Sequence, residues 1–198
     1  MTDAAGERPT VLLLGDSIRL GYQPVAAAQL AAVATVRGLD DNGRDTAYTL
    51  AHLDAWLAEA QPIRVVHCNC GLHDLKRMDG ATGTVVPLAR YADNLATIIA
   101  RVRAQTDAAL IVATTTPIHE ARHAARGLDF ARLAADVHAY NDALCAVCAR
   151  LAVPVNDLCQ VVAGDGDALL LADGTHYTEA GYTALGTAVA HAVRPYLP

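Results

Sequence analysis

Three short runs, residues 11–14, 63–68 and 110–115, are apolar throughout rather than alternating, and each is bounded by turn-forming or polar side chains. A strand with one wet face alternates, whereas a run apolar at every position has no side left for water. That is the pattern of a parallel strand roofed by helices on both faces. Between and after these runs lie Ala- and Leu-rich stretches of helical length, at 24–32, 48–60, 88–103, 133–150 and 178–193. Residues 32–37 and 153–155 are weaker strand candidates. The rhythm βαβα predicts an α/β chain with one open parallel sheet of about five strands and helices on both sides, joined by right-handed crossovers. Ligands of such sheets bind beyond the carboxyl ends of the strands. Function is therefore expected at residues 15–19, 38–46, 69–74, 114–119 and from 157 onward. No linker or internal repeat interrupts the sequence, so residues 1–198 read as one domain. The loosest stretches, 77–86 and 121–130, read as loops at the rim of a site.

Composition narrows the partners. With 53% hydrophobic and 18% charged residues the chain can bury a sizeable core. Its net charge of -6 and lack of a Lys/Arg cluster argue against nucleic acid, which needs a basic face. No apolar run reaches the ~18 residues of a spanning helix, and residues 1–9 are polar and acidic, so neither a membrane span nor a secretory signal is expected. Five cysteines, an odd number and too few for a disulfide framework, fit a reducing cytoplasm.

Gly15-Asp16-Ser17-Ile18 follows the first strand and precedes a helix start. A serine at such a turn holds its hydroxyl at the carboxyl edge of the sheet while its N–H joins the positive end of a helix, which suits a developing oxyanion. It is equally a common place for a serine that only caps the helix. Near the other end, Asp173-Gly174-Thr175-His176 puts a carboxylate and an imidazole three residues apart on one turn. There the carboxylate can hold Nδ1–H while Nε2 faces a nucleophile, unless the pair is merely an Asx turn with an exposed histidine.

Together with Gly71-Leu72-His73-Asp74 after the third strand, these segments resemble the first, third and fifth sequence blocks of the SGNH (GDSL-type) hydrolase family, in order and over nearly the whole chain. The resemblance implies a flavodoxin-like three-layer α/β/α fold and a cofactor-free serine esterase. Ser17 would be nucleophile, His176 general base and Asp173 its orienting acid. The family's oxyanion hole uses the nucleophile's N–H, a second-block glycine N–H and a third-block asparagine side chain. Here Ser17 would supply the first and Gly43 the second, with Arg44 the alternative if the block is displaced by one position. His73 stands where the family has asparagine; either its imidazole or the nearby Asn69 amide would complete the set. Asp16 and Asp74 read as supports for loop N–H groups.

Other chemistry competes weakly. Residues 119–123 spell H-E-x-x-H, a zinc pattern on a sturdy helix, but Pro117 and Gly127 bracket a stretch of about two turns with no suitable third ligand. Cys68, Cys70, Cys145 and Cys148 read as core residues rather than zinc ligands, with Cys70 the one thiol near the site. His67 and His138 read as core or surface histidines, and no metal is expected. Arg19 and Lys76, beside the site, could favour an anionic substrate or be ordinary solvated charges. One Trp, seven Tyr and one Phe leave little for a sugar-stacking platform, so the substrate expected is a short-chain acyl ester of a small or carbohydrate alcohol. An acyltransferase with the same triad, or a binding module that keeps the fold, are the alternatives.

Overall fold

The computed structural model describes residues 8–40, 42–164 and 166–198; most of the polar stretch at residues 1–9 lies outside the described residues. In chain order the elements are β1 (Thr10–Leu14), α1 (Ser17–Leu30), β2 (Thr35–Gly38), α2 (Thr46–Ala60), β3 (Ile63–Asn69), β4 (Arg77–Met78), α3 (Leu88–Gln105), β5 (Ala109–Ala113), α4 (Glu120–Ala124), β6 (Phe130–Ala131), α5 (Ala134–Arg150), β7 (Val155–Asn156), α6 (Leu158–Ala163), α7 (Gly166–Leu169) and α8 (Glu179–Val193). Five of the strands form one parallel sheet in the order β2-β1-β3-β5-β7. This is the expected three-layer α/β/α fold: α1 packs on α8 beside one face, while α2, α3 and α5 pack side by side beside the other.

The strands are apolar for the reason the sequence suggested. All of β1 is buried, and β3 is buried except at Arg64. The edge strand β2 alternates in exposure instead, which is why it was the weaker reading. The order of the sheet reverses between β1 and β3, so the loops after these two strands part and leave a crevice. Ser17 follows β1 and His73 follows β3.

Several boundaries differ from the sequence reading. The helix expected from residue 24 begins seven residues earlier, at Ser17, and carries Pro24 inside it. Proline there removes one helix hydrogen bond, and the loss falls on the solvent side, where Pro24 is exposed and Leu20 is 41% exposed. The two rim stretches are not simply loops. Residues 77–78 and 130–131 pair antiparallel as β4 and β6, with Met78 opposite Phe130, and residues 120–124 form α4. A bidentate ion pair from Arg77 to Asp136, at 2.6 and 2.8 Å, ties this small ribbon to α5.

Candidate active site

Asp16, not Ser17, caps α1: its carboxylate accepts the Ile18 N–H at 3.0 Å. Ser17 is the first helical residue, so its own N–H is one of those the helix leaves without an internal partner. A second bond fixes Asp16, from the Asn69 side-chain amide at 3.1 Å, and the Asn69 carbonyl oxygen accepts from the Tyr22 hydroxyl at 2.7 Å. The first and third loops are thereby locked together beneath the serine. Asp74 does the same for the second loop, accepting from the Thr46 N–H and hydroxyl at the start of α2. Burial pushes the Asp74 carboxyl up to about 7.

The serine hydroxyl lies 2.8 Å from His176 Nε2, and His176 Nδ1 lies 2.6 Å from Asp173. The other Asp173 oxygen accepts the N–H groups of Thr175 and His176, both at 2.9 Å, so the carboxylate cannot turn away from the ring it orients. Burial works against ionising Asp173, but the bonds from the His176 ring and the two N–H groups outweigh it and hold the carboxyl at about 2. That is below its ordinary 3.8, so the folded state gains stability from this ion above about pH 4 and loses it as pH falls towards 2. Urea unfolding of Asp173→Asn should show a smaller drop in stability between pH 5 and pH 2.5 than the parent protein.

The turn that carries this pair rests on the H-E-x-x-H segment. Gly174 has a φ of +69°, and a Cβ there would lie 2.6 Å from the His119 carbonyl oxygen. His119 N–H donates to the Gly174 carbonyl at 2.8 Å, and His123 Nδ1 lies 3.3 Å from the Thr175 hydroxyl. His119 caps α4 by accepting the Arg122 N–H. His119 thus supports the turn through its backbone and His123 through its imidazole, and among the described residues no three His, Cys, Asp or Glu side chains gather as ligands would.

The expected oxyanion donors differ in availability. Gly43 N–H already donates to the Gly15 carbonyl at 2.9 Å, an approach so close that a Cβ on Gly43 would lie 2.7 Å from that oxygen. Arg44, at φ +51°, donates its N–H to the Asn42 side chain at 2.8 Å. Asn69 is buried and spends an N–H on Asp16. His73 is half-buried, and burial, reinforced by the Lys76 and Arg132 charges, holds its imidazole down to about 4, so it is neutral at ordinary pH.

Some neighbours are not what the sequence suggested. Arg19 is no solvated charge: it is fully buried, with its guanidinium on Gln23 and on the Leu39 carbonyl, both at 2.8 Å. Cys70 is buried, and the adjoining Cys68 thiol together with burial raises its pKa well above the ordinary value, which leaves it a protonated, unreactive thiol. Cys68 and Cys148 are core residues as expected, but Cys145 is exposed. His67 is a core histidine between Tyr22 and Asn156, and His138 is exposed. Sequence reasoning missed Arg132, a buried arginine whose Nε donates to the Leu72 carbonyl at 2.7 Å, and Phe130, whose ring lies under both Lys76 and Arg132. Neither carries a motif; only the β4–β6 pairing brings them to the site.

Residues 13–184 match the profile of the GDSL-like lipase/acylhydrolase family. The chain belongs to that family. It is a carboxylic ester hydrolase of the SGNH type. Its fold is similar to that of a lipase/acylhydrolase from Enterococcus faecalis, with 21% identity, TM-score 0.79, and 96% of this chain and 97% of the other covered. An aryl esterase from M. smegmatis superposes with 22% identity and TM-score 0.77 over 96% of this chain and 100% of the other. An acetylxylan esterase from Geobacillus stearothermophilus does so with 16% identity and TM-score 0.73 over 96% and 95%. No curated protein matches the chain.

Proposed function

We propose that this GDSL-family chain is a serine esterase that hydrolyses a short-chain acyl ester of a small or carbohydrate alcohol through Ser17, His176 and Asp173. The observation that carries the reading is the unbroken hydrogen-bond line from the Ser17 hydroxyl through the His176 ring to Asp173, at 2.8 and 2.6 Å. With Asp173 holding Nδ1–H, Nε2 is left to take the serine proton as Oγ attacks the ester carbonyl. His176 then protonates the departing alcohol, and a water activated by the same ring releases the acyl group from Ser17. The oxyanion is met by the Ser17 N–H at the start of α1 and by the N–H of neutral His73. Asn69 is a support for Asp16 in this scheme. In the second block Arg44 is preferred to Gly43, because its N–H is held by a side chain, that of Asn42, whereas that of Gly43 is held by backbone.

Behind the loops that carry Ser17 and His73, the void lined by Asp16, Ile18, Cys70, Leu72 and Thr115 is only about 10 Å³, room for about one water, so it offers no space for a long acyl chain. The alcohol has more to meet. Tyr48, His52 and Trp56 stack along α2 with ring separations of 4.1 and 5.5 Å, and Arg44 of the second-block loop lies 4.6 Å from the Tyr48 ring. Two of the chain's nine Trp, Tyr and Phe rings, together with one imidazole, therefore lie on the side where Arg44 stands. No helix among the described residues is long and apolar enough to cross a membrane, and the five free cysteines favour a reducing, cytoplasmic setting.

A fluorophosphonate probe should label the protein on Ser17, identified by mass spectrometry of the modified peptide, and Ser17→Ala should take no label. Hydrolysis of 4-nitrophenyl esters should fall as the acyl chain lengthens from acetate to octanoate. Label on another residue, or an active enzyme that resists the probe, would count against Ser17. A preference for octanoate would remove the short-chain assignment.

A further inference from the structure

We propose that Lys76 is a positioning residue that holds His73 in the tautomer with its proton on Nε2, so that an imidazole can do the work of an amide in the oxyanion hole. This rests on the assignment of His73 to the hole made above. Lys76 Nζ lies 3.2 Å from His73 Nδ1. An ammonium has three donors and no acceptor, so the contact exists only if Nδ1 presents its lone pair. A neutral imidazole carries a single ring proton, which must then sit on Nε2. The asparagine that the family places here needs no such help, since its amide donates in every state. An imidazole donates from a given nitrogen only when the tautomer is right, and a residue three positions along the same loop sets it.

Lys76 is itself held in place. Its ammonium lies 4.6 Å from the centre of the Phe130 ring, and Phe130 sits on β6 opposite Met78 of β4. The Val85 N–H donates to the Lys76 carbonyl at 2.8 Å. Both rim stretches therefore converge on this one residue, residues 121–130 on its side chain and residues 77–86 on its backbone. The charged groups around His73 are Lys76, Arg132 and Arg44, opposed by Asp45. Burial, reinforced by three cations against one carboxylate, keeps the ring neutral and leaves the tautomer as its only freedom. Around Lys76 stand Arg132, which opposes its charge, and Asp45, Asp16 and Asp129, which support it; burial, followed by Arg132, lowers its pKa from the ordinary 10.5. As pH rises and Lys76 loses its proton, the neutral amine can accept as well as donate, and its hold on the tautomer weakens. An alkaline fall in kcat is expected from this pair alone.

The test compares Lys76→Met in two backgrounds, the parent protein and His73→Asn, with 4-nitrophenyl acetate as substrate. In the parent, Lys76→Met should lower kcat about tenfold or more with little change in KM, a part of the ~10²-fold to 10³-fold that a whole oxyanion donor is worth. In His73→Asn, whose amide has no tautomer to lose, the same substitution should change kcat by less than about threefold, and the alkaline fall should be absent. Nitrogen-15 NMR of histidine-labelled protein should find the His73 proton on Nε2 in the parent and redistributed in Lys76→Met. Equal losses in both backgrounds, or a parent His73 protonated on Nδ1, would overturn the role of Lys76. His73→Ala with undiminished kcat would instead overturn the assignment of His73 to the hole, and the NMR result distinguishes the two failures.

Discussion

Ser17→Ala and His176→Ala should each reduce kcat/KM for 4-nitrophenyl acetate by about 10⁴-fold or more, and the double variant should be no worse than either alone. The expectation follows from how the two side chains are joined. In the proposed triad the Ser17 hydroxyl is a nucleophile only while His176 Nε2, 2.8 Å away, can receive its proton, so removing either partner removes the same step. Asp173→Asn tests the third member differently. An amide at that position can present N–H to the ring, favouring the wrong tautomer, and a loss approaching ~10⁴-fold is expected with the fold intact. Losses that multiply in the double variant would mean that Ser17 and His176 act separately. Residual activity after any of these changes reflects the oxyanion donors, which none of the three substitutions touches.

What could be read from the sequence was whatever rests on local pattern. Parallel strands buried on both faces are apolar at every position, so β1, β3 and β5 were legible, and their ends located the loops that matter. Ser17 and His176 stood at element boundaries: the start of α1 and the turn before Thr178, which caps α8. Pro24 hid the true start of α1 because proline is a good first helical residue and a poor interior one, and only packing of α1 on α8 overrides that preference. The two-residue strands β4 and β6 have no period to detect. Arg19 could be read only as a substrate contact or a solvated charge, and Arg132 drew no reading, because burial of an arginine depends on distant acceptors, the Leu39 and Leu72 carbonyls, that no local window contains. The second-block N–H groups were ambiguous in sequence, and the closeness of Gly43 to the Gly15 carbonyl belongs to the folded loops alone.

His73→Ala should lower kcat by about 10²-fold to 10³-fold with KM changed much less, while His73→Asn should retain most of the activity. The split between kcat and KM follows from when the donor acts: an oxyanion exists in the transition state and not in the bound ester, so losing its partner leaves ground-state binding nearly untouched. The choice between His73 and Asn69 turns on the same measurement. Asn69 is already engaged at both ends, with Asp16 and Tyr22, so Asn69→Ala should act chiefly on stability by freeing the buried Asp16 carboxylate. A kcat loss confined to Asn69→Ala, with His73→Ala fully active, would reverse the assignment. If His73 carries the role, the departure from the family's asparagine is a substitution of one donor for another, and it works because burial and three neighbouring cations keep the imidazole neutral while one of them, Lys76, occupies its other nitrogen.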